Sequence, residues 1–277
     1  MEQVYYLVRT FGVAAALLTA VFFQPEVIAA ANDEDLVIDD SIQAKLAPLL
    51  KEYKPIKPLS SAAELREIDN KGNLGRLRYY ERKVTYAPLQ SGLWAIHGIG
   101  GFTSSNSRGT SQILSLCGLV NLLSATAGKV DMDGTAVIPF GRIFLPFAIK
   151  SSRDYGRKSR VKDFEASTPD ICRPSPGLEF SIRLESELTV SMGRTSVSTV
   201  SDQLSCKVAA EAKSVDGFLP GVMGEGLPTA CERKTNGGSK AALEYVFLPD
   251  AGFYVLLRES SDIETTKVQY KEVTVAQ

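Results

Sequence analysis

Leu178–Val190 reads LEFSIRLESELTV, and its alternation decides the fold class. Leu178, Phe180, Ile182, Leu184, Leu188 and Val190 fall on one side of a period of two, while Glu179, Arg183, Glu185 and Glu187 fall on the other. A strand turns successive side chains to opposite faces, so this pattern describes a long antiparallel strand with one face in water. Working outward, Gly193-Arg194 turns the chain into TSVSTVSDQLSCKV, whose Val200, Leu204, Cys206 and Val208 form a matching apolar face, and the two segments read as a hairpin. AALEYVF and FYVLL make a second hairpin around LPDAG, with Pro249, Asp250 and Gly252 supplying the turn. TAVIPF and RIFLPFAI make a third around Gly141, and TTKVQYKEVTV reads as a closing strand. Hairpins following one another in this way predict a mainly β fold, an antiparallel sandwich or partly open barrel.

Three segments read as helices. Ser41–Tyr53 places Ile42, Leu46, Leu49, Leu50 and Tyr53 on one helical stripe, with Pro48 as a potential break. KPIKPLSS follows as an extended spacer, and the capping-box spacing of Ser61 and Glu64 predicts a second short helix. SQILSLCGLVNLLSATAG carries Ile113, Leu116, Cys117 and Val120 at helical spacing and ends at Gly128, which predicts one buried helix. The expected organisation is therefore a signal peptide over residues 1–31, an acidic leader and short helical arm with a Pro/Lys linker over 32–74, and a β-rich domain over 75–277.

The signal-peptide expectation rests on Arg9, the apolar run Phe11–Phe23 and a small-residue exit at Ala29 or Ala31. That run is too short to span a bilayer comfortably, which takes roughly 20 apolar residues, so the mature chain is not expected to be an integral membrane protein. A periplasmic or secreted location then accounts for four cysteines as two disulfides. Cys206 and Cys231 flank one Gly- and Pro-rich excursion and are the favoured pair, leaving Cys117 and Cys172. With 31 basic and 32 acidic residues the chain has no global field that would suggest nucleic acid, and none is expected as a partner.

The catalytic routes open to this chain are few. LWAIHGIGG, Leu93–Gly101, holds the only Trp and the only His. A glycine oxyanion loop of the esterase kind also needs a nucleophile elbow and a further His, and neither is present. One imidazole likewise disfavours Ser-His-Asp triads and zinc sites, and no metal or cofactor is expected. The Ser159–Lys162 match to S-x-x-K lies in a strongly charged stretch rather than at the start of a buried helix. Glu185 and Glu187 lie on the polar side of a strand, and Asp131 and Asp133 form only the first part of a calcium loop.

Two surfaces remain as binding candidates. One is the glycine turn with His97, Gly98, Gly100, Gly101, Thr103 and Ser104, whose backbone amides could hold a small anion. The other is the basic stretch Lys150–Asp163, expected as a hydrated loop, with Arg153, Tyr155, Arg157 and Lys158. The leading expectation is an exported, non-catalytic envelope protein that binds an envelope protein, an anionic polymer or a lipid headgroup. Its rivals are a carboxylate-based, glycosidase-like hydrolase using Glu179, Glu185 or Asp131, and an adhesin or secretion-system component.

Overall fold

The computed structural model describes residues 38–51, 59–69, 78–89, 91–102, 108–140, 143–262 and 264–275. The expected signal peptide lies outside them. One helix, α1 (Asp40–Leu50), precedes thirteen strands: β1 (Leu59–Asp69), β2 (Arg78–Pro88), β3 (Trp94–Phe102), β4 (Arg108–Leu116), β5 (Val120–Phe140), β6 (Ile143–Ala166), β7 (Glu179–Met192), β8 (Arg194–Val208), β9 (Lys213–Ser214), β10 (Glu225–Thr235), β11 (Lys240–Leu248), β12 (Phe253–Ser261) and β13 (Glu264–Val275). All belong to one antiparallel sheet in the order β11-β12-β13-β1-β2-β3-β4-β5-β6-β7-β8-β10-β9. Sequence neighbours are thus almost everywhere sheet neighbours, the signature of a meander. Strand β10 pairs with both β8 and β11, and β13 pairs with β1, so the meander curls round into a partly open barrel. Its loosest joint is β12 with β13, held by the pairs Arg258–Lys267, Glu259–Thr266 and Ser260–Thr265.

The concave side is the core. On β2 and β3, Val84, Tyr86, Trp94 and Ile96 are buried, while Thr85 and His97 are exposed. The rings of Tyr86 and Trp94 meet Phe253 of β12 edge-on at 4.9 and 4.8 Å. Contacts between strands so far apart in sheet order identify the buried face as the interior. Along β7 the expected alternation holds, with Phe180 and Ile182 buried and Glu179, Arg183, Glu185 and Glu187 exposed. The β7–β8 hairpin turns at Gly193, whose φ of 72° is a conformation glycine adopts without a Cβ clash. The β5–β6, β11–β12 and β13 readings match the observed strands as well.

Three expectations need correction. Residues 59–69, read as a helix begun by Ser61 and Glu64, form β1, paired along its length with β13 on one side and β2 on the other. Ladders on both edges satisfy most of its backbone groups, and this outweighs a local capping pattern. The segment read as one buried helix is the β4–β5 hairpin. It turns at Cys117-Gly118, both with positive φ, and Leu119 N–H donates to the Leu116 carbonyl at 3.0 Å. That is the primed turn that matches strand twist. Leu114, Leu116, Cys117, Leu119, Val120, Leu122 and Leu123 are all buried, so no polar alternation marks the strands and the spacing imitates a helix. Finally, Lys150–Asp163 is not a loop but part of the 24-residue β6; Asp131 and Asp133 lie within β5.

Both disulfides form. Cys206 and Cys231 are direct partners across β8 and β10, their Cα atoms 4.1 Å apart. The excursion they flank folds back on the barrel, burying Val215 and Leu219, and the Pro220 carbonyl accepts from Val273 N–H at 3.0 Å. Cys117 joins Cys172, which ends a 3-10 turn at Pro169–Cys172. Helix α1 buries Ile42, Leu46 and Leu49 and packs on β6 and this 3-10 turn. Exposed ion pairs from Asp39 to Arg160 and Lys162, and from Lys45 to Asp163, tether it. Pairs so exposed add little energy, so apolar burial holds the helix.

Candidate functional site

Strand register brings the two candidate surfaces together. In an antiparallel ladder, directly opposed residues lie on the same face. One row runs Val84–Gly98–Ser111–Thr126–Arg157 across β2 to β6, and the next runs Arg82–Gly100–Gly109–Gly128–Tyr155. Both lie on the concave side, where Val84, Gly98, Gly100, Gly109 and Ser111 are buried. Strands about 4.8 Å apart put β3 and β6 roughly 14 Å from one another. The register therefore sets the glycines between Arg82 on β2 and Tyr155 and Arg157 on β6, with Arg157 exposed at the far end.

Gly98 is needed for space. A Cβ on Gly98 would stand 2.5 Å from Ser111 Oγ and 3.4 Å from Arg82 Nε, so the bare backbone lets the Arg82 guanidinium lie across it. The Arg82 Nε is buried and has no hydrogen-bond partner among the described residues. Ser111 Oγ donates to the Gly98 carbonyl at 3.5 Å. Glycine in strand interiors commonly marks such close approach to the backbone.

The same register divides the expected residues. His97 and Lys158 share a row on the convex face, Thr85–His97–Gln112–Ala125–Lys158, and both are exposed. Arg153, by strand period, falls with Tyr155 and Arg157 on the concave face, and Gly101 falls with His97. Thr103 and Ser104 lie outside the described residues. The anticipated tight turn at Gly98–Gly101 is instead the interior of β3.

Polar groups that sequence reasoning missed extend the concave site. Asp202 of β8 is held above the usual carboxylate range by burial, against the opposing pull of Arg233 and Arg157. Its Oδ1 is buried and has no hydrogen-bond partner among the described residues. Arg233 donates to Glu259. Burial pushes Tyr245 up to about 12, with Glu259 adding to the shift and Arg233 opposing it. Burial holds Tyr270 far above its ordinary value, with Tyr86 adding to the shift and Arg82 opposing it, and its hydroxyl donates to the Leu256 carbonyl at 2.9 Å. No local motif announces these groups, because their partners lie on strands far apart in the chain.

Two open clefts lie elsewhere. One, beside the Cys206–Cys231 bridge, includes Glu179, Lys207 and Glu232; the other, beside α1, includes Lys45, Asp163 and Glu165. In each, a lysine hydrogen bond holds one carboxyl low: Lys207 acts on Glu179 and Lys45 on Asp163. These are surface ion pairs, the opposite of the raised acid that general-acid chemistry needs. Glu185 and Glu187 are exposed on β7. Among the described residues, no three His, Cys, Asp or Glu side chains come together as a metal site. No described helix is long and apolar enough to cross a membrane.

Comparison with known proteins finds no matching family model, no matching curated protein and no matching solved structure. The class is therefore defined by the structure itself: a disulfide-bonded, partly open antiparallel meander barrel with a glycine-rich, arginine-flanked concave wall.

Proposed function

We propose that the protein is an exported, non-catalytic binding protein of the cell envelope, and that the concave β2–β6 wall binds an anionic group of a polymer or small ligand. The observation that carries this reading is the pair of rows in which Gly98, Gly100, Gly109 and Gly128 lie between Arg82 and the Tyr155–Arg157 end. Bare backbone at Gly98 leaves room for the Arg82 guanidinium, guanidinium groups match carboxylate or phosphate geometry, and a tyrosine offers a flat face. The buried, unpartnered Nε of Arg82 adds a donor already stripped of water. Two disulfides favour an oxidising compartment.

The test is calorimetric titration of the full chain with inorganic polyphosphate and, separately, with polygalacturonate. Binding should be saturable and salt-sensitive, and Arg157→Glu should weaken it at least tenfold. Lys158→Glu, one residue away on the convex face, should change it less than twofold. Binding of neither probe, or equal losses from the two variants, would refute the concave-wall assignment.

A further inference from the structure

The β5–β6 hairpin outgrows its neighbours. Strand β4 pairs with β5 only as far as Arg108–Lys129, and β7 pairs with β6 only from Gly156 onward. Beyond those points, residues 130–140 and 143–153 pair only with each other among the described residues. The ladder from Lys129–Asp154 to Phe140–Ile143 advances eleven residues, about 36 Å at roughly 3.3 Å each. Beyond Lys129 the two strands of this arm have no other ladder partner among the described residues.

Its outer part is apolar on both faces. By strand period, Ala136, Ile138, Phe140, Ile143, Leu145, Phe147 and Ile149 fall on one face, and Val137, Pro139, Phe144, Pro146 and Ala148 on the other. Thr135 is the one polar residue in 134–140 and 143–149. A hairpin lying on a core needs one apolar face, as β7 shows with its alternating acids. Two apolar faces call for an environment that is apolar all round.

We infer that this arm inserts into one leaflet of a lipid bilayer; the inference stands apart from the anion-binding reading. Length decides between dipping and spanning. Residues 134–140 advance about 20 Å, whereas the hydrocarbon core is roughly 30 Å thick and a spanning strand takes roughly 9–11 residues. The arm therefore reaches past one leaflet's roughly 15 Å only when upright, and it is too short to span. Edges decide between lipid and another β-strand. Proline is tolerated in a ladder only where its missing N–H would face away from the partner strand, so Pro139 and Pro146 remove outward donors from both edges. That obstructs strand addition by a second copy and leaves fewer groups to desolvate in lipid. The stem carries opposed charges, Asp133 opposite Lys150 and Lys129 opposite Asp154, which set the depth at headgroup level without favouring lipids of one sign.

The experiment uses the full chain carrying Phe144→Trp, with the parent chain, whose only Trp is the fully buried Trp94, as the reference. With zwitterionic phosphatidylcholine vesicles, the added Trp should shift to the blue and lose at least half its emission when the lipid is brominated, while Trp94 in the parent does not respond. Adding Ile138→Asp and Leu145→Asp should abolish the quenching, with unchanged circular dichroism as the check on folding. Emission of the added Trp indifferent to vesicles would overturn the inference. So would a blue shift without lipid that disappears on dilution, which would show a second copy covering the arm. The polyphosphate and polygalacturonate titrations contain no lipid, so either proposal can fail without the other.

Discussion

Removing the Cys117–Cys172 bridge by pairing Cys117→Ala with Cys172→Ala should cost about 4 kcal/mol of folding stability. The figure follows from the 55-residue separation the bridge closes, through the entropy that a cross-link takes from the unfolded chain. The same relation applied to the 25-residue separation of Cys206 and Cys231 yields about 3.5 kcal/mol for that pair. Cys117 occupies φ 44°, a left-handed conformation that costs a non-glycine residue about 1–2 kcal/mol, and its carbonyl accepts from Tyr254 N–H at 2.8 Å. Freed from Cys172, the β4–β5 turn is still held by this hydrogen bond and by apolar packing, so the loss should stay near the entropic figure. Urea unfolding monitored by Trp94 emission measures it, with a steeper denaturant slope because the uncrosslinked chain exposes more surface. A loss below about 1 kcal/mol, or a smaller loss than for the Cys206–Cys231 double variant, would refute the reasoning.

Gly118→Ala tests the same turn: φ is 77° and the new Cβ would lie 2.5 Å from both the Phe253 ring and the Tyr254 carbonyl, so about 2–5 kcal/mol should be lost in urea unfolding. Tyr254→Phe should be neutral or stabilising by up to about 1 kcal/mol in the same assay, because its buried hydroxyl has no hydrogen-bond partner among the described residues. Alkaline pH should unfold the protein cooperatively. Tyr245 is raised to about 12 from an ordinary 10.0, so its contribution is complete below pH 10 and is lost as pH rises towards 12, when the unfolded chain ionises first. Tyrosinate absorbance for Tyr245, Tyr254 and Tyr270 should thus appear together with the loss of circular dichroism; their titration near pH 10 in a folded chain would contradict the buried placement.

Some elements were legible because the information for them is local. Alternation in Leu178–Val190, the turn at Gly193 and the LPDAG turn each set a preference within a few residues, and each appears where expected. Helix α1 was legible from one apolar stripe, and Cys206 with Cys231 from the excursion between them. Other features had no local signal. β1 reads as a helix start until β13 and β2 supply ladders on both edges, and Ile113–Val120 reads as a helix because both strands of its hairpin are covered.

The sequence by itself determined that hairpins would dominate, where most would turn, and that a lone imidazole would leave few catalytic routes. Only the tertiary structure decided which residues share a face. His97 and Gly98 are neighbours in the chain yet lie on opposite sides of the wall, whereas Gly98 and Arg157 are 59 positions apart and lie in one row. The reason is that side-chain direction in a strand reverses at every residue, so a one-residue change of register would exchange the two faces entirely. Register is set by pairing and burial across the whole barrel, contributions that no short window of residues contains.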